Sequence, residues 1–163
     1  DERRLVALGI ARSTAAASPV EPLDVGEAGE AATIAGVRGR WRVDPAYLDV
    51  AHARRFPGRT ALLSPLDRLI HDRRRMRDVF AFDYQLEMYK PASQRRWGYW
   101  ALPVLHGDEL VGKVDATADR GAGVLRVDAV HEDVAFTAAM TAAVDHELAD
   151  LAEWLRLDLH RVD

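Results

Sequence analysis

The sequence predicts an α+β fold, in which a helical segment bearing a hairpin leads into a small antiparallel β-sheet or barrel packed by a long C-terminal helix. Three observations predict it. The hydrophobic period becomes two between about Tyr84 and Val130, as strands with alternating faces require. Phe136, Met140, Val144, Leu148, Leu151, Leu155 and Leu159 then recur every three or four residues, which places them on one helical stripe that should cover a face of the sheet. From Glu30 to Val43, small or apolar residues alternate with arginines, and Gly36 and Gly39 permit a tight turn.

Taken in order, Asp1 to about Arg12 has a helical pattern, and Ser13 to Pro19 reads as either a fraying helix or a loop. The hairpin pattern of 30–43 is how the wing of a winged helix reads, so residues 1–58 are expected to form a partial winged-helix segment. Asp44-Pro45 supplies an N-cap and a first-turn proline for a helix to about Arg55, with Tyr47, Leu48 and Ala51 on one side, and Pro57-Gly58 ends it. Residues 59–163 are expected as the antiparallel sheet or barrel domain with capping helices. Ser64-Pro65-Leu66-Asp67 combines a capping hydroxyl, an N1 proline and a first-turn acid, so one helix should start there. Its apolar side would hold Leu66, Leu69, Ile70, Val79 and Phe80. Strands are expected near Tyr84–Tyr89, Gly98–Leu105, Glu109–Ala118 and Gly123–Val130, the last three joined at His106-Gly107-Asp108 and at Asp119-Arg120-Gly121-Ala122. The final helix should run from about Phe136 to Leu159.

Composition narrows the function classes. With 163 residues, 48% hydrophobic and 29% charged, the chain suits one ordinary domain or two very small ones. A domain of this size buries roughly 70% of its unfolded surface, so its core needs neither metal nor disulfide. The absence of cysteine excludes a disulfide framework, a thiolate zinc site, an iron-sulfur cluster and a cysteine nucleophile. No apolar run approaches the ~18 residues of a membrane span, and Asp1-Glu2-Arg3-Arg4 does not open a signal peptide. The charged start feeds directly into Leu5, Val6, Leu8 and Ile10, which reads as a cut inside a longer protein.

The net charge of -4 conceals a segregation of sign. Residues 38–96 hold 14 Arg or Lys against 7 acids, a net of +7, whereas residues 132–163 hold 2 against 8, a net of -6. A polyanion responds to the local stretch, because charges more than ~8 to 10 Å away are screened.

Within the basic stretch, Arg73, Arg74, Arg75 and Arg77 offer planar donor forks suited to phosphate. Taken alone, such a run reads as a solvated helix face paired locally to Asp72 and Asp78. Helical spacing puts Arg73 and Arg77 on one face and lets Arg74 and Arg75 diverge. Arg38, Arg40 and Arg42 alternate along the expected wing strand, so all three share a face that can track a phosphate backbone or reach a minor groove. Arg95 and Arg96 precede Trp97-Gly98-Tyr99-Trp100, rings that stack on an unpaired base if exposed and serve as core if not. The six histidines lack metal-ligand spacing, and no cofactor fingerprint or nucleophile elbow occurs, so neither metal nor cofactor is expected. Asp67 with Glu87, or Asp115 with Asp119, reads better as a cap, a strand-surface residue and turn formers than as acid and base.

A resemblance enters at Leu63. Leu63 to Leu69, Asp72 to Arg75, Phe80 to Tyr84, Glu87, Tyr89, Pro91, Arg96 to Tyr99, Leu102 to Asp108, Leu110 to Asp115 and Ala118 to Arg120 together resemble the AlkZ/YcaQ winged-helix DNA glycosylases. Residues 30–50 fit more loosely, as the third of that family's tandem winged helices. The resemblance implies a bacterial protein, cytoplasmic and nucleoid-associated, in which winged helices and a small β-barrel form a concave basic surface for double-stranded DNA. It implies excision of alkylated or crosslinked bases by a glutamine paired with a glutamine or aspartate one residue away in an amino-terminal winged helix. The only glutamines here are Gln85 and Gln94, so no catalytic residue carries over. The chain is therefore expected to be a DNA-binding C-terminal part, partnered by N-terminal winged helices of the same protein. The competing classes are a sequence-specific winged-helix regulator, for which no recognition helix stands out before residue 30, and a scaffold or oligomerisation domain built on the last helix.

Overall fold

A computed structural model of the chain describes residues 30–43 and 58–162. The helices expected over 1–12 and 45–55, and the choice between helix and loop at 13–19, lie outside the described residues. The chain divides into two compact units, the first including residues 30–43 and 71–81, the second 58–70 and 82–162.

In the first unit, β1 (Glu30–Ile34) and β2 (Val37–Val43) form an antiparallel hairpin closed at Ala35-Gly36. Gly36 takes φ 75°, a left-handed conformation that costs glycine little. Gly39 lies within β2 rather than in the turn, where the pairing shifts register between Ala32 and Ile34. A glycine inside a strand marks such an irregularity, so the alternation identified the hairpin but not the role of its second glycine. Trp41 is buried, whereas Arg38 and Arg42 are exposed.

The helix expected from Ser64 is two shorter ones. Ser64 to Asp67 form a turn, with the Asp67 N–H donating to the Ser64 carbonyl at 2.8 Å and the Leu66 N–H reaching the Ser64 hydroxyl at 3.2 Å. Asp67 then accepts from the Leu69 N–H at 2.7 Å and starts α1 (Arg68–His71). Asp72 adopts an extended conformation and accepts from the N–H groups of Arg74 and Arg75, which starts α2 (Arg73–Phe80). Two short aspartates that bond their own downstream backbone offer an alternative to continuous helix. Leu66 is left exposed, outside the core that it was expected to join.

The second unit is built on a five-stranded sheet of order β3 (Thr60–Leu62), β4 (Leu102–His106), β5 (Glu109–Asp119), β6 (Val124–Glu132) and β7 (Asp158–Arg161). The first four are antiparallel neighbours and β7 runs parallel to β6. β5 and β6 match their expected spans closely, and both expected turns are present. Gly107 takes φ 64° in the first, and Asp119 accepts from the Ala122 N–H at 2.9 Å in the second.

Helix α3 (Ala138–Leu155) is capped by the Thr137 hydroxyl and packs Val144 and Leu148 against Val104, Val111, Val114 and Val127. The expected stripe therefore covers the sheet, but the helix stops short of Leu159. Arg156 turns left-handed at φ 59°, and the Leu157 N–H returns to the Ala152 carbonyl at 2.9 Å, a pattern that closes helices. Leu159 consequently belongs to β7 and is partly exposed.

The strand expected at Tyr84–Tyr89 is instead part of a long irregular segment, residues 81–101, that contains one short 3₁₀ turn at Ala92–Gln94. Phe82 and Tyr84 are buried between exposed Ala81, Asp83 and Gln85, so the alternation is real as far as Tyr84, and the buried Glu87 falls out of step with it. The backbone does not join the sheet there, because side chains anchor it by other means.

Candidate nucleic-acid interface

The arginines of α2 divide by helical geometry. Arg73 and Arg77 are both exposed one turn apart, while Arg74 pairs with Asp78 at 3.2 Å. Arg75 is half-buried beside the buried Met76, so the expected divergence of Arg74 and Arg75 from the Arg73 face is present. On the hairpin, Arg38 and Arg42 are exposed; Arg40 lies in β2, with its side chain outside the described residues. All of these arginines fall in the first unit and Arg95 and Arg96 in the second.

The 81–101 segment owes its shape to three buried groups. Phe82 and Tyr84 stack with ring centroids 6.4 Å apart, and Tyr84 and Trp97 at 6.2 Å. The Tyr84 hydroxyl donates to the Ala101 carbonyl at 2.8 Å, and burial, followed by the nearby Glu87 carboxylate, raises its pKa so that the proton stays.

Lys113 is the second. In β5 it points away from Val114, which faces α3, and it is wholly buried. Its ammonium lies 4.2 Å from the Phe82 ring centre, 4.6 Å from that of Trp97 and 2.5 Å from the Asp133 carboxylate. Burial pulls its pKa below the ordinary value, an effect that Asp133 opposes and the two negative ring faces also resist.

Glu87 is the third. Its carboxylate accepts from the backbone N–H groups of Arg96 at 2.6 Å and Trp97 at 2.8 Å, and from Lys90 Nζ at 2.6 Å. Burial alone would raise its pKa, but Lys90 and the two amides outweigh burial and hold it below the usual carboxylate value. The sequence reading of Glu87 as a strand-surface residue is thus overturned. A carboxylate that gathers three donors is stable inside, and only the fold supplies those donors.

Asp115, read as a turn former, instead lies within β5, half-buried. Its carboxylate occupies the space in front of Gly98, where a Cβ would fall 2.0 Å from it, and Gly98 takes φ 122°. His131, paired with Lys113 across the strands, donates from Nε2 to the Trp97 carbonyl at 3.0 Å. Burial and then the Asp128 anion raise the pKa of Asp115, against the opposing influence of His131, Arg126 and Arg95. In the sequence, a lysine inside the otherwise apolar run Leu110 to Val114 was the available signal for this arrangement, and composition passes over it.

Trp97 is buried and therefore serves as core, with the Arg96 guanidinium 4.8 Å from its ring centre. Tyr99 is exposed and carries Arg95 at 4.9 Å. The two arginines are held over rings at the edge of the segment, with Arg96 also 3.7 Å from Asp83. No group of acids and histidines with the geometry of a metal site occurs among the described residues.

A family model described as DNA glycosylase AlkZ-like matches residues 2–154. The chain belongs to the AlkZ-like DNA glycosylase family. No solved structure matches the chain. The match covers both units, so the buried carboxylate, the buried lysine and the arginine helix all fall within AlkZ-like sequence. Among the described residues, no helix is long and apolar enough to cross a membrane.

Proposed function

We propose that this chain holds double-stranded DNA for base-excision repair, through the phosphate backbone and without sequence preference, while the hydrolytic step is performed by a paired Gln-x-Gln or Gln-x-Asp outside this sequence. The match to the AlkZ-like DNA glycosylases over residues 2–154 carries the reading. The exposed Arg73 and Arg77 on one face of α2, the exposed Arg38 and Arg42, and the ring-supported Arg95 and Arg96 support it as phosphate donors. In this reading residues 1–58 are a partial winged-helix segment, the chain works beside N-terminal winged helices of the same protein, and it is nucleoid-associated.

Binding through phosphates releases counterions, so log K falls by about 0.9 per neutralised phosphate for each tenfold rise in salt. With three to five such contacts, a slope of roughly -3 to -4 is expected, with Kd of ~10⁻⁴ to 10⁻⁶ M at physiological salt. Titration of a labelled duplex at several salt concentrations checks this. Arg73→Ala should flatten the slope by about 1 and weaken binding equally across sequences. An unchanged slope in that variant returns Arg73 to the solvated face, and no binding at low salt removes the proposal for this chain. Release of alkylated bases by the purified chain would place the chemistry here after all.

A further inference from the structure

The turn that follows Glu87 carries an exposed tyrosine. Tyr89 is 87% exposed, two residues from one of the most thoroughly bonded carboxylates in the described chain. Exposure alone means little, since single apolar side chains are common on surfaces. What sets Tyr89 apart is that the backbone flanking it is held by hydrogen bonds. The Lys90 N–H donates to the Glu87 carbonyl at 2.8 Å, the Arg95 side chain to the Lys90 carbonyl at 3.0 Å, and the Gln94 N–H to the Pro91 carbonyl at 2.9 Å. A flexible loop would lose entropy on ordering around a ligand, whereas this turn is ordered beforehand.

Charge indicates the kind of ligand. Residues 88–100 contain Lys90, Arg95 and Arg96 and no acid; Lys90 is held by Glu87, and Arg96, 3.7 Å from the exposed Asp83, and Arg95 present their guanidinium groups at the surface. The turn's own anion, Glu87, is buried and already neutralised by its donors. Tyr99, the other exposed ring of the segment, lies beneath the Arg95 guanidinium. Rings bearing a π-face beside cations, on a rigid support, match a nucleobase with its flanking phosphates. Inside a duplex each base is covered on both faces, so a free π-face requires a base displaced from the stack.

We propose that the Glu87–Lys90 turn is a stacking finger, in which Tyr89 covers an unpaired DNA base while Arg95 and Arg96 neutralise the adjoining phosphates. It rests on the DNA-holding reading above and adds to it a preference for DNA with an extrahelical base. The test uses the whole 163-residue chain with two probes, a fully paired duplex and the same duplex carrying one extrahelical 2-aminopurine. Wild type should favour the bulged probe and quench 2-aminopurine fluorescence. Tyr89→Ala should lose roughly 5- to 150-fold of that preference together with the quenching, in line with stacking energies for one base. Tyr89→Phe, which keeps the π-face, should retain both, and unchanged melting of the variants shows that folding is not the cause. Equal preference and quenching in wild type and Tyr89→Ala overturn the finger. Wild-type binding to both probes without preference also overturns it while leaving the DNA-holding reading intact, whereas binding to neither removes both. Loss of self-association in Tyr89→Ala by light scattering, with DNA binding unchanged, would assign the ring to a protein interface and overturn the proposal.

Discussion

Glu87 shows how one residue organises a segment that secondary structure leaves alone. Its carboxylate substitutes for a strand partner by accepting the Arg96 and Trp97 amides, while Lys90 closes the turn on its other side. The pH dependence follows from the direction of its pKa. A carboxyl held below its ordinary value of 4.5 in the folded state stabilises the fold fully above that value, and the contribution is lost as pH falls through the lowered folded pKa. Glu87→Gln removes the anion and sets an amide hydrogen against backbone donors, at an expected cost of about 2 kcal/mol at neutral pH. Denaturant unfolding of both proteins from pH 7 to pH 3 should show their stabilities converging toward the acid end. A difference that stays constant with pH would mean that the carboxylate charge is not what anchors the turn.

At the scale of elements, boundaries were decided by short polar side chains more than by apolar period. The Ser64-Pro65 signal marks a true break in the chain, yet Asp67 and Asp72 are the residues that accept the first helical amides. Asp72→Ala should therefore destabilise by about 1 kcal/mol, and Ser64→Ala, whose hydroxyl accepts one amide, that of Leu66, among the described residues, by less. Urea midpoints of the two variants measure the order, and a larger loss at Ser64 would restore it as the cap. Helix α3 ends for a similar local reason. The left-handed Arg156 and the bond from Leu157 to Ala152 stop a stripe whose apolar rhythm continues to Leu159.

At the largest scale, the second unit places its strongest packing on one face of the sheet and its unusual chemistry on the other. Leu148 and Val144 of α3 meet Val104, Val111, Val114 and Val127, whereas Lys113 and Asp115 leave the opposite face of β5 toward Trp97 and Gly98. Leu148→Ala should cost about 2 to 5 kcal/mol, because a wholly buried leucine leaves a cavity that a packed sheet cannot collapse into. Chemical denaturation checks it, and a loss below 1 kcal/mol would mean that α3 is peripheral to the fold.

The sequence by itself determined the α+β class, the hairpin at 30–43, the paired strands β5 and β6 with their turns, the α3 stripe and the helical pairing of Arg73 with Arg77. It also carried the family resemblance. These rest on periodicity, turn chemistry and residue order, which are properties of neighbours along the chain. Only the tertiary structure decided that Tyr84 to Tyr89 stay out of the sheet, that β3 and β7 join it, and that Glu87 and Lys113 are buried. Each depends on partners far away in sequence: Asp133 lies 20 residues from Lys113, and the His131 ring meets the Trp97 carbonyl across 34. A charged residue reads as surface until its partners are known, because burial of a charge is permitted only where the fold assembles donors, counter-charges or ring faces around it.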